Sequence, residues 1–224
     1  MLAGLPPFGG LGEEALDRLA GQVALFGVPR GTVLFEPGER PTAQLFLLAG
    51  VVHLLGRSSA GQETLIEVLS PPDLLLPAAV LEGAPYLLRA RAVVESRLLL
   101  LPAAALRKAM AEEPALALGL LSCLAQQFRR MTRQVKNLKL RTTTERLACY
   151  LLALAERQGG KAVTLPYDKG AIAAELGMAR ESLSRAFAVL ADDAIEVAGA
   201  SVRIRDRAAL RRCCRPDPLI DGAG

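Results

Sequence analysis

Four polar side chains share one face of a predicted helix, close to its N-terminal end. In the segment 179–191, Leu183, Phe187 and Leu190 recur with helical spacing and define the buried face. The opposite face carries Arg180, Glu181, Ser184 and Arg185. An arginine can donate two hydrogen bonds to guanine, a glutamate can accept one from cytosine, and a serine can contact several base edges. This set is therefore predicted to contact DNA bases, and an ordinary solvated helix face is the alternative.

A shorter helix precedes this one and is predicted to support it. Pro166, Tyr167 and Asp168 open that helix, and Gly177 with Met178 makes the turn between the two. Two short helices joined by a turn that contains glycine are typical of a helix-turn-helix. In that motif the second helix enters the major groove with its N-terminal end, where the four polar residues are placed.

Segments on either side of this pair complete the predicted DNA-binding domain. Thr142 and Glu145 have the spacing of a capping box, so a helix should begin there. Residues 195–204 alternate as a hairpin, which is the predicted wing of the domain. Arg203 and Arg205 on this hairpin could contact DNA phosphates.

A long helix is predicted over residues 114–140. Its apolar residues from Ala117 onwards are separated alternately by four and three positions, which is the pattern of a two-stranded coiled coil. At 1.5 Å per residue it should be roughly 40 Å long. A stripe this narrow favours packing against a second copy of the chain, and a helix packed on its own domain is the alternative. The predicted dimer contacts are Leu121, Leu124, Phe128, Met131, Val135 and Leu138.

The residues before this helix are typical of a small antiparallel roll. A short amphipathic helix is predicted over 11–26, and from residue 28 the apolar pattern has a period of two. The glycines that separate the predicted strands are Gly31, Gly38, Gly50, Gly56 and Gly61. The predicted fold is α+β, with a β-roll sensor domain over 1–111, a dimerisation helix over 112–140 and a winged helix-turn-helix domain over 141–224.

Charge and composition exclude several classes of protein. The net charge of +4 divides into −1 over residues 1–110 and +5 over 111–224, so the second part is expected to meet a polyanion. A single histidine excludes the HExxH zinc motif, and no glycine-rich phosphate loop or G-x-S-x-G is present, so no enzyme is expected. No apolar run is long enough for a membrane span and no export signal is seen, so we expect a cytoplasmic protein without a membrane partner.

The four cysteines show neither paired spacing nor a CxxC motif, which fits a reducing compartment. Cys123 and Cys149 are expected to be small buried residues. Cys213 and Cys214 could oxidise, but their adjacency alone supports no sensing role. No metal site is predicted.

Two stretches resemble the CRP/FNR family of transcription regulators. The run GTVLFEPGERPTAQLFLLAGVVHLL is similar to the cyclic-nucleotide-binding β-roll of that family, and ARESLSRAFAVL to an FNR-type recognition helix with the pattern Glu-x-x-Ser-Arg. The resemblance implies a homodimer in which Glu181, Ser184 and Arg185 contact TTGA-type inverted repeats in double-stranded DNA, with RNA polymerase as a further partner. It departs at Ala179, where the family often has a hydroxyl residue that caps the helix and contributes ~1 kcal/mol.

The resemblance also bears on the effector. In the cyclic-AMP receptor an Arg-Ser pair binds the phosphate, and those positions fall on Tyr86 and Leu87, so cyclic AMP is not expected. No cysteine precedes Cys123, so an FNR-type iron–sulfur cluster is not expected either. The remaining candidate is an apolar pocket between the roll and the long helix, lined by Leu74, Leu76, Tyr86 and Leu87.

The segments PYLLRARAVVES and LPYDKGAIAAELGMARESLSRAF resemble the NNR/DNR branch of the family, which responds to nitric oxide and controls denitrification genes. This resemblance implies haem in the apolar pocket. His53, the only histidine, is the candidate axial ligand, and Tyr86, Met131 and the N-terminal amine are the other candidates. The alternative is that His53 lies on a strand face and ligates nothing. Two other functions stay open, a cyclic-nucleotide-binding regulatory protein and a DNA-binding dimer without an effector.

Overall fold

The computed structural model describes residues 2–59, 61, 63–165, 168–217 and 219. The chain divides into two compact units, Met1–Phe128 and Arg129–Gly224. The division falls within the long helix, whereas the break between that helix and the next lies at residues 141–142. No helix among the described residues is both long enough and apolar enough to cross a bilayer.

The first unit is built on short antiparallel strands. These strands are β1 (Ala24–Val28), β2 (Val33–Phe35), β3 (Ala43–Ala49), β4 (Val52–Arg57), β5 (Glu63–Leu69), β6 (Asp73–Leu75), β7 (Arg89–Ala92) and β8 (Ser96–Pro102). They form two four-stranded sheets, in the orders β1-β8-β3-β6 and β2-β7-β4-β5. The predicted antiparallel roll is therefore confirmed.

The continuous apolar run of β8 is explained by burial on both faces of its sheet. Leu98 belongs to the core between the two sheets, together with Leu45 and Leu47 of β3. Leu99 and Leu101 point to the opposite face, into a second core that helices cover. A strand buried on both sides needs no polar alternation, which is why this segment lacks the period of two.

In the described part of the first unit, four helices begin after 3₁₀ turns at Leu2–Gly4 and Pro6–Phe8. They are α1 (Glu13–Ala20), α2 (Pro77–Glu82), α3 (Ala103–Glu112) and α4 (Pro114–Leu140). Helix α1 ends earlier than the predicted range 11–26, because Gly21 caps it and Ala24–Val28 pairs with β8 instead. Helix α2 is absent from the sequence prediction.

Helix α4 has a buried face in addition to the predicted stripe. Leu116, Leu120 and Cys123 are at most 7% exposed and pack in the helix-covered core. One turn further, Gln127 Nε2 donates to the carbonyl oxygen of Leu74 at 2.9 Å. Helix α4 therefore contacts its own roll along one face and exposes another.

The second unit contains the helix-turn-helix. Its elements are α5 (Thr143–Gln158), β9 (Ala162–Thr164), α6 (Lys169–Glu175), α7 (Arg180–Asp193), β10 (Ile195–Ala198), β11 (Ser201–Ile204) and α8 (Arg207–Cys214). The predicted capping box is confirmed, since Thr142 and Glu145 each bond the other's backbone N–H through their side chains. The wing hairpin is confirmed too, and β9 adds a third strand to it. The predicted helix start at Pro166 and Tyr167 lies outside the described residues.

The interpretation of Cys149 as a simple buried residue is wrong. Cys149 of α5 forms a disulfide with Cys214, the last residue of α8, across a sequence separation of 65. Cys123 and Cys213 take no part in this disulfide, and Cys123 is buried as expected. The pairing was not predicted because it depends on α8 packing against α5, and α8 was not predicted either.

Candidate nucleic-acid interface and effector site

Helix α7 separates its side chains as the sequence predicts. Leu183, Phe187 and Leu190 are at most 4% exposed and pack in the core of the second unit. Each residue predicted to contact DNA is exposed on the other face: Arg180, Glu181, Ser184 and Arg185. The N-cap residue Ala179 makes no side-chain cap bond, which agrees with the departure noted in the sequence.

Arg180 and Arg185 have different surroundings within this exposed face. The Arg180 guanidinium lies directly over Gly170, in the first turn of α6. The backbone N–H of Ala171 donates to the Asp168 carboxylate and is the main cause of its lowered pKa. The positive charge of Arg180 lowers this pKa further. Within the described residues, Arg185 donates one hydrogen bond, to Ser182 Oγ at 3.3 Å. Arg185 is therefore better placed to reach a base, whereas Arg180 packs against α6 and links it to α7.

A buried arginine that the sequence prediction missed holds the turn between α6 and α7. Arg146 is 8% exposed, and its Nη1 donates to the carbonyl oxygens of Leu176 and Gly177 at 2.7 and 3.1 Å. Burial lowers the pKa of this guanidinium. Because these carbonyls follow the end of α6, Arg146 supplies donors where a helix leaves its acceptors unsatisfied. An arginine four residues after Thr142, on the inward face of α5, is the sequence signal for this role.

The last turn of α4 also contacts the helix-turn-helix. Gly177 has a φ of +60°, and a Cβ added to it would collide with Leu138 Cδ2. Glycine is required there both by the backbone conformation and by the close approach of Leu138. One of the predicted dimer contacts, Leu138, is thus also a contact of the DNA-binding unit.

The two wing arginines do not share one role. Arg203 is exposed on β11 and lies 4.0 Å from Glu196 on the neighbouring strand. Arg205 donates to the carbonyl oxygens of Ala191 and Asp192, at the C-terminal end of α7. The expectation that both reach phosphate is therefore corrected for Arg205, which instead satisfies free carbonyls of the recognition helix.

The predicted dimer stripe on α4 is largely solvent-exposed in the single chain. Phe128 is 73% exposed and Leu121 61%, and Leu124 is the most covered member. The exposed fractions of Met131, Val135 and Leu138 are 47, 54 and 41%. Apolar side chains at coiled-coil spacing and with this exposure form a contiguous surface of the kind that partners cover.

The predicted effector residues are not all brought together. Leu76 packs against the core between the sheets, which includes Tyr86, whereas Leu74 points into the helix-covered core. Leu87 is 86% exposed, so its assignment to an enclosed pocket is wrong. The reason is that residues 84–88 form an irregular connection between α2 and β7 that bends at residues 87–88, in which Tyr86 is buried and the next side chain is exposed.

The resemblance to the cyclic-AMP receptor implies that Tyr86 falls at the position of the phosphate-binding arginine. Its ring stacks on Phe35 with the centroids 3.7 Å apart, and burial raises its pKa to about 12. Both rings border a cavity of about 300 Å³ whose apolar wall includes Phe26, Leu45 and Leu100. Thr32, Glu39 and Arg40 line the same cavity. Tyr86 itself is a neutral phenol and offers no charge to a phosphate.

Arg89 and Arg91, the next arginines along the chain, are engaged by carboxylates, whereas Arg40, which lines the cavity beside Tyr86, donates to the carbonyl oxygen of Gly83 at 2.7 Å. Arg89 makes a two-point contact with Glu36, with Nε–Oε2 and Nη2–Oε1 distances of 2.8 and 2.6 Å. It also bonds Glu63, which lies 3.5 Å from Arg91. The forked pair with Glu36 holds the Arg89 guanidinium in place, so Arg89 does not substitute for the missing arginine.

His53 does not fit the role of a haem ligand in the predicted pocket. Its neighbours Val52 and Leu54 point into the core with Tyr86, so His53 points to the other face of β4. There it lies beside Arg91, its partner on β7. Burial, followed by the charge of Arg91, lowers the pKa of His53. Among the described residues, no group of three or more His, Cys, Asp or Glu is arranged to hold a metal ion.

Two family models match the chain, one in each unit. The model described as a cyclic nucleotide-binding domain matches residues 26–113, and the model described as a Crp-like helix-turn-helix domain matches residues 145–213. The order of the two matches is the order of the roll and the helix-turn-helix in the structure.

Three known proteins are similar over most of the chain. The CRP-like cAMP-activated global transcriptional regulator of Mycobacterium tuberculosis is 29% identical over 93% of this chain and 96% of its own length. A regulatory protein of Silicibacter pomeroyi DSS-3 has a solved structure with a TM-score of 0.58 and 30% identity, over 93% of this chain and 94% of that one. The Thermus thermophilus Catabolite Activator Protein has a TM-score of 0.52 and 26% identity, over 94% and 98%. With an antiparallel roll, a long helix and a winged helix-turn-helix in the same order, this chain belongs to the CRP/FNR family of DNA-binding transcription regulators.

Proposed function

We propose that the chain acts as a homodimer on TTGA-type inverted repeats, where it contacts RNA polymerase. The observation that carries the proposal is the exposed polar face of α7, which presents Glu181, Ser184 and Arg185 close to its N-terminal end. Arg185 would bind guanine O6 and N7, and Glu181 would accept from a cytosine amino group. Ser184 would contact a neighbouring base edge. These three proposed contacts match the single G·C pair and the flanking A·T pairs of a TTGA half-site.

The stripe on α4 supports the dimer. Two copies that pack along Leu121, Phe128 and Val135 would place two recognition helices in a symmetric pair. A symmetric pair of recognition helices requires a symmetric DNA site, which is why an inverted repeat is proposed rather than a single half-site.

Helix α4 begins in the first unit and ends in the second, and it makes one relevant contact within each. Gln127 of α4 holds the carbonyl of Leu74 on β6, and Leu138 at the other end of α4 presses on Gly177 in the helix-turn-helix. We propose that an effector in the roll biases the packing of α4 through the first contact. The second contact would then change the orientation of α7. A full switch from 1:99 to 99:1 would need about 5.5 kcal/mol of differential binding.

The effector is proposed to be a gas or redox signal rather than a cyclic nucleotide, as in the nitric-oxide-responsive NNR/DNR branch. The support is the stacking of Tyr86 on Phe35, where the resemblance would place a phosphate-binding arginine, and the engagement of Arg89 by Glu36. Haem stays a prediction, and the position of His53 on the outer face of β4 counts against this residue as its ligand.

Cyclic AMP is the second candidate, because the Mycobacterium tuberculosis relative is described as cAMP-activated. In this chain the nucleotide phosphate would have to be bound without the arginine of the Arg-Ser pair. Saturating cyclic AMP is therefore expected to leave DNA affinity unchanged.

The experiment is an anaerobic titration of a fluorescent duplex with purified protein, followed by anisotropy. The duplex carries a TTGA inverted repeat, and the control duplex has both half-sites scrambled. Each titration is repeated with cyclic AMP and with a nitric oxide donor, before and after haem reconstitution. Preference for the inverted repeat supports the proposed site, and equal affinity for the two duplexes contradicts it. A shift with cyclic AMP would favour the second candidate.

A further inference from the structure

The disulfide between Cys149 and Cys214 joins two elements of the DNA-binding unit that are far apart in sequence. Their Cα atoms are 4.9 Å apart, which lies within the range that a disulfide spans without backbone movement. We infer that Cys149 and Cys214 form a reversible thiol–disulfide site that controls DNA affinity. The inference concerns the DNA-binding unit and does not depend on the effector proposed for the roll.

The disulfide fixes the residues that follow α8 against the hinge of the chain. Arg215 Nη1 lies 3.7 Å from Glu145 Oε1, and Glu145 is the capping-box residue of α5. Asp217 Oδ2 accepts from Lys136 Nζ of α4 at 3.3 Å. The end of α8 therefore contacts both helices that meet at residues 141–142. Opening the disulfide would remove the covalent bond that holds the end of α8, so the two ion pairs would be held in place less firmly.

The same disulfide supports the turn of the helix-turn-helix. Cys149 lies one turn after Arg146 on α5, and Arg146 holds the carbonyls of Leu176 and Gly177. Tying α5 to α8 restricts the movement of the helix that carries this arginine. A recognition helix ordered before binding loses less entropy on DNA, so the oxidised form is expected to bind more tightly.

The burial of the two cysteines suggests the order of the chemistry. Cys149 is partly exposed, whereas Cys214 is 3% exposed. The Cys149 thiolate would attack a low-molecular-weight disulfide such as oxidised glutathione, forming a mixed disulfide and releasing one small thiol. The Cys214 thiolate then attacks the Cys149 sulfur and releases the second small thiol. Two protein thiols lose two electrons and two protons, and the small disulfide is reduced to two thiols. Excess small thiol reverses both steps.

The test uses the full chain equilibrated with defined ratios of reduced and oxidised glutathione. Free thiols are blocked with a maleimide, and the cross-linked peptides are mapped by mass spectrometry. We expect a Cys149–Cys214 cross-link that forms and opens reversibly. Closing a loop of 65 residues is expected to raise the apparent Tm by about 10 °C. DNA affinity is expected to be several-fold higher for the oxidised protein.

Matched variants assign these effects to the pair. Cys149→Ser should abolish the cross-link, the Tm shift and the redox difference in DNA affinity. Cys213→Ser and Cys123→Ser should retain all three. The reduced wild-type protein provides the same comparison without a substitution, should Cys149→Ser fold poorly.

Three results would overturn the inference: free thiols at both positions under oxidising conditions, a cross-link that uses Cys213 instead, or equal DNA affinity in the two redox states. Affinity is measured on both the inverted repeat and the scrambled duplex. A wrong half-site would remove the discrimination between duplexes but leave the ratio of oxidised to reduced affinity unchanged, so the two failures are distinguishable.

Discussion

Arg185 carries the most specific chemistry at the scale of single residues. Its guanidinium is exposed, and in the part of the chain that the structure describes it donates one hydrogen bond, to Ser182 Oγ at 3.3 Å. A two-point contact with guanine requires the planar fork of an arginine, which a lysine does not have. Base discrimination and charge can therefore be separated by substitution at this position.

Replacing Arg185 with alanine or lysine should remove the preference for TTGA over TTAA half-sites. The expected loss is about 1–3 kcal/mol of discrimination per half-site. Arg185→Lys should keep the salt dependence of binding, whereas Arg185→Ala should lower its slope by about one ion. Anisotropy titrations at several salt concentrations measure both quantities. Discrimination that survives in Arg185→Ala would show that another residue contacts the guanine.

Arg146 is a second single residue with a specific role, which is to stabilise the DNA-binding unit. Arg146→Met should remove the donors of two carbonyls and destabilise the DNA-binding unit by about 2–4 kcal/mol. The matched control is Arg157→Met, an exposed position on the same helix, which should stay within about 0.5 kcal/mol of wild type. Urea denaturation followed by circular dichroism compares them. Equal stability of the two variants would mean that the turn does not depend on Arg146.

The contact between Leu138 and Gly177 belongs to the scale of elements, because it joins α4 to the helix-turn-helix. Gly159, at the end of α5, has a similar φ of +68° but no atom within 4 Å of an added Cβ. Gly159→Ala should therefore cost only the backbone strain of about 1–2 kcal/mol. Gly177→Ala adds overpacking and should cost about 1–3 kcal/mol more.

The double variant Leu138→Ala/Gly177→Ala isolates that steric part. It should recover most of the difference between the two glycine substitutions, as a double-mutant cycle by urea denaturation would measure. Strictly additive effects would show that Leu138 and Gly177 do not press on each other.

Helix α4 illustrates what the spacing of apolar residues can predict. The spacing correctly predicts the helix and its stripe, but Leu116, Leu120 and Cys123 repeat at the same intervals on a neighbouring face. Two neighbouring apolar faces have the same periodic spacing. The sequence alone therefore does not show which face packs on the roll and which one is exposed. The four recognition residues were predictable because their helix has one apolar face.

Other features depend on contacts between distant segments. Helix α8 places Ala209, Leu210 and Cys214 inward among several arginines, which is too weak a pattern to predict the helix or its disulfide. Leu87 and His53 were assigned to one pocket on residue type. Which face each occupies is decided by the register of the strands and by the connection before β7, and neither is visible in the local pattern.

At the scale of the whole molecule, the account depends on two copies of the chain. A single chain holds one recognition helix, but selection of an inverted repeat requires two recognition helices held at a fixed spacing. The exposed stripe on α4 is the surface proposed to hold them. A charge at its centre should separate the copies, since burying an unpaired carboxylate in an apolar seam is strongly unfavourable.

Sedimentation velocity with a fluorescent inverted-repeat duplex tests this claim most directly. The wild-type protein should sediment as two chains per duplex, and Phe128→Glu as a monomer that no longer prefers two half-sites over one. Gln126→Glu, which adds the same charge at an exposed position off the stripe, should behave like wild type. A wild-type complex with one chain per duplex, bound equally well to a single half-site, would contradict the account.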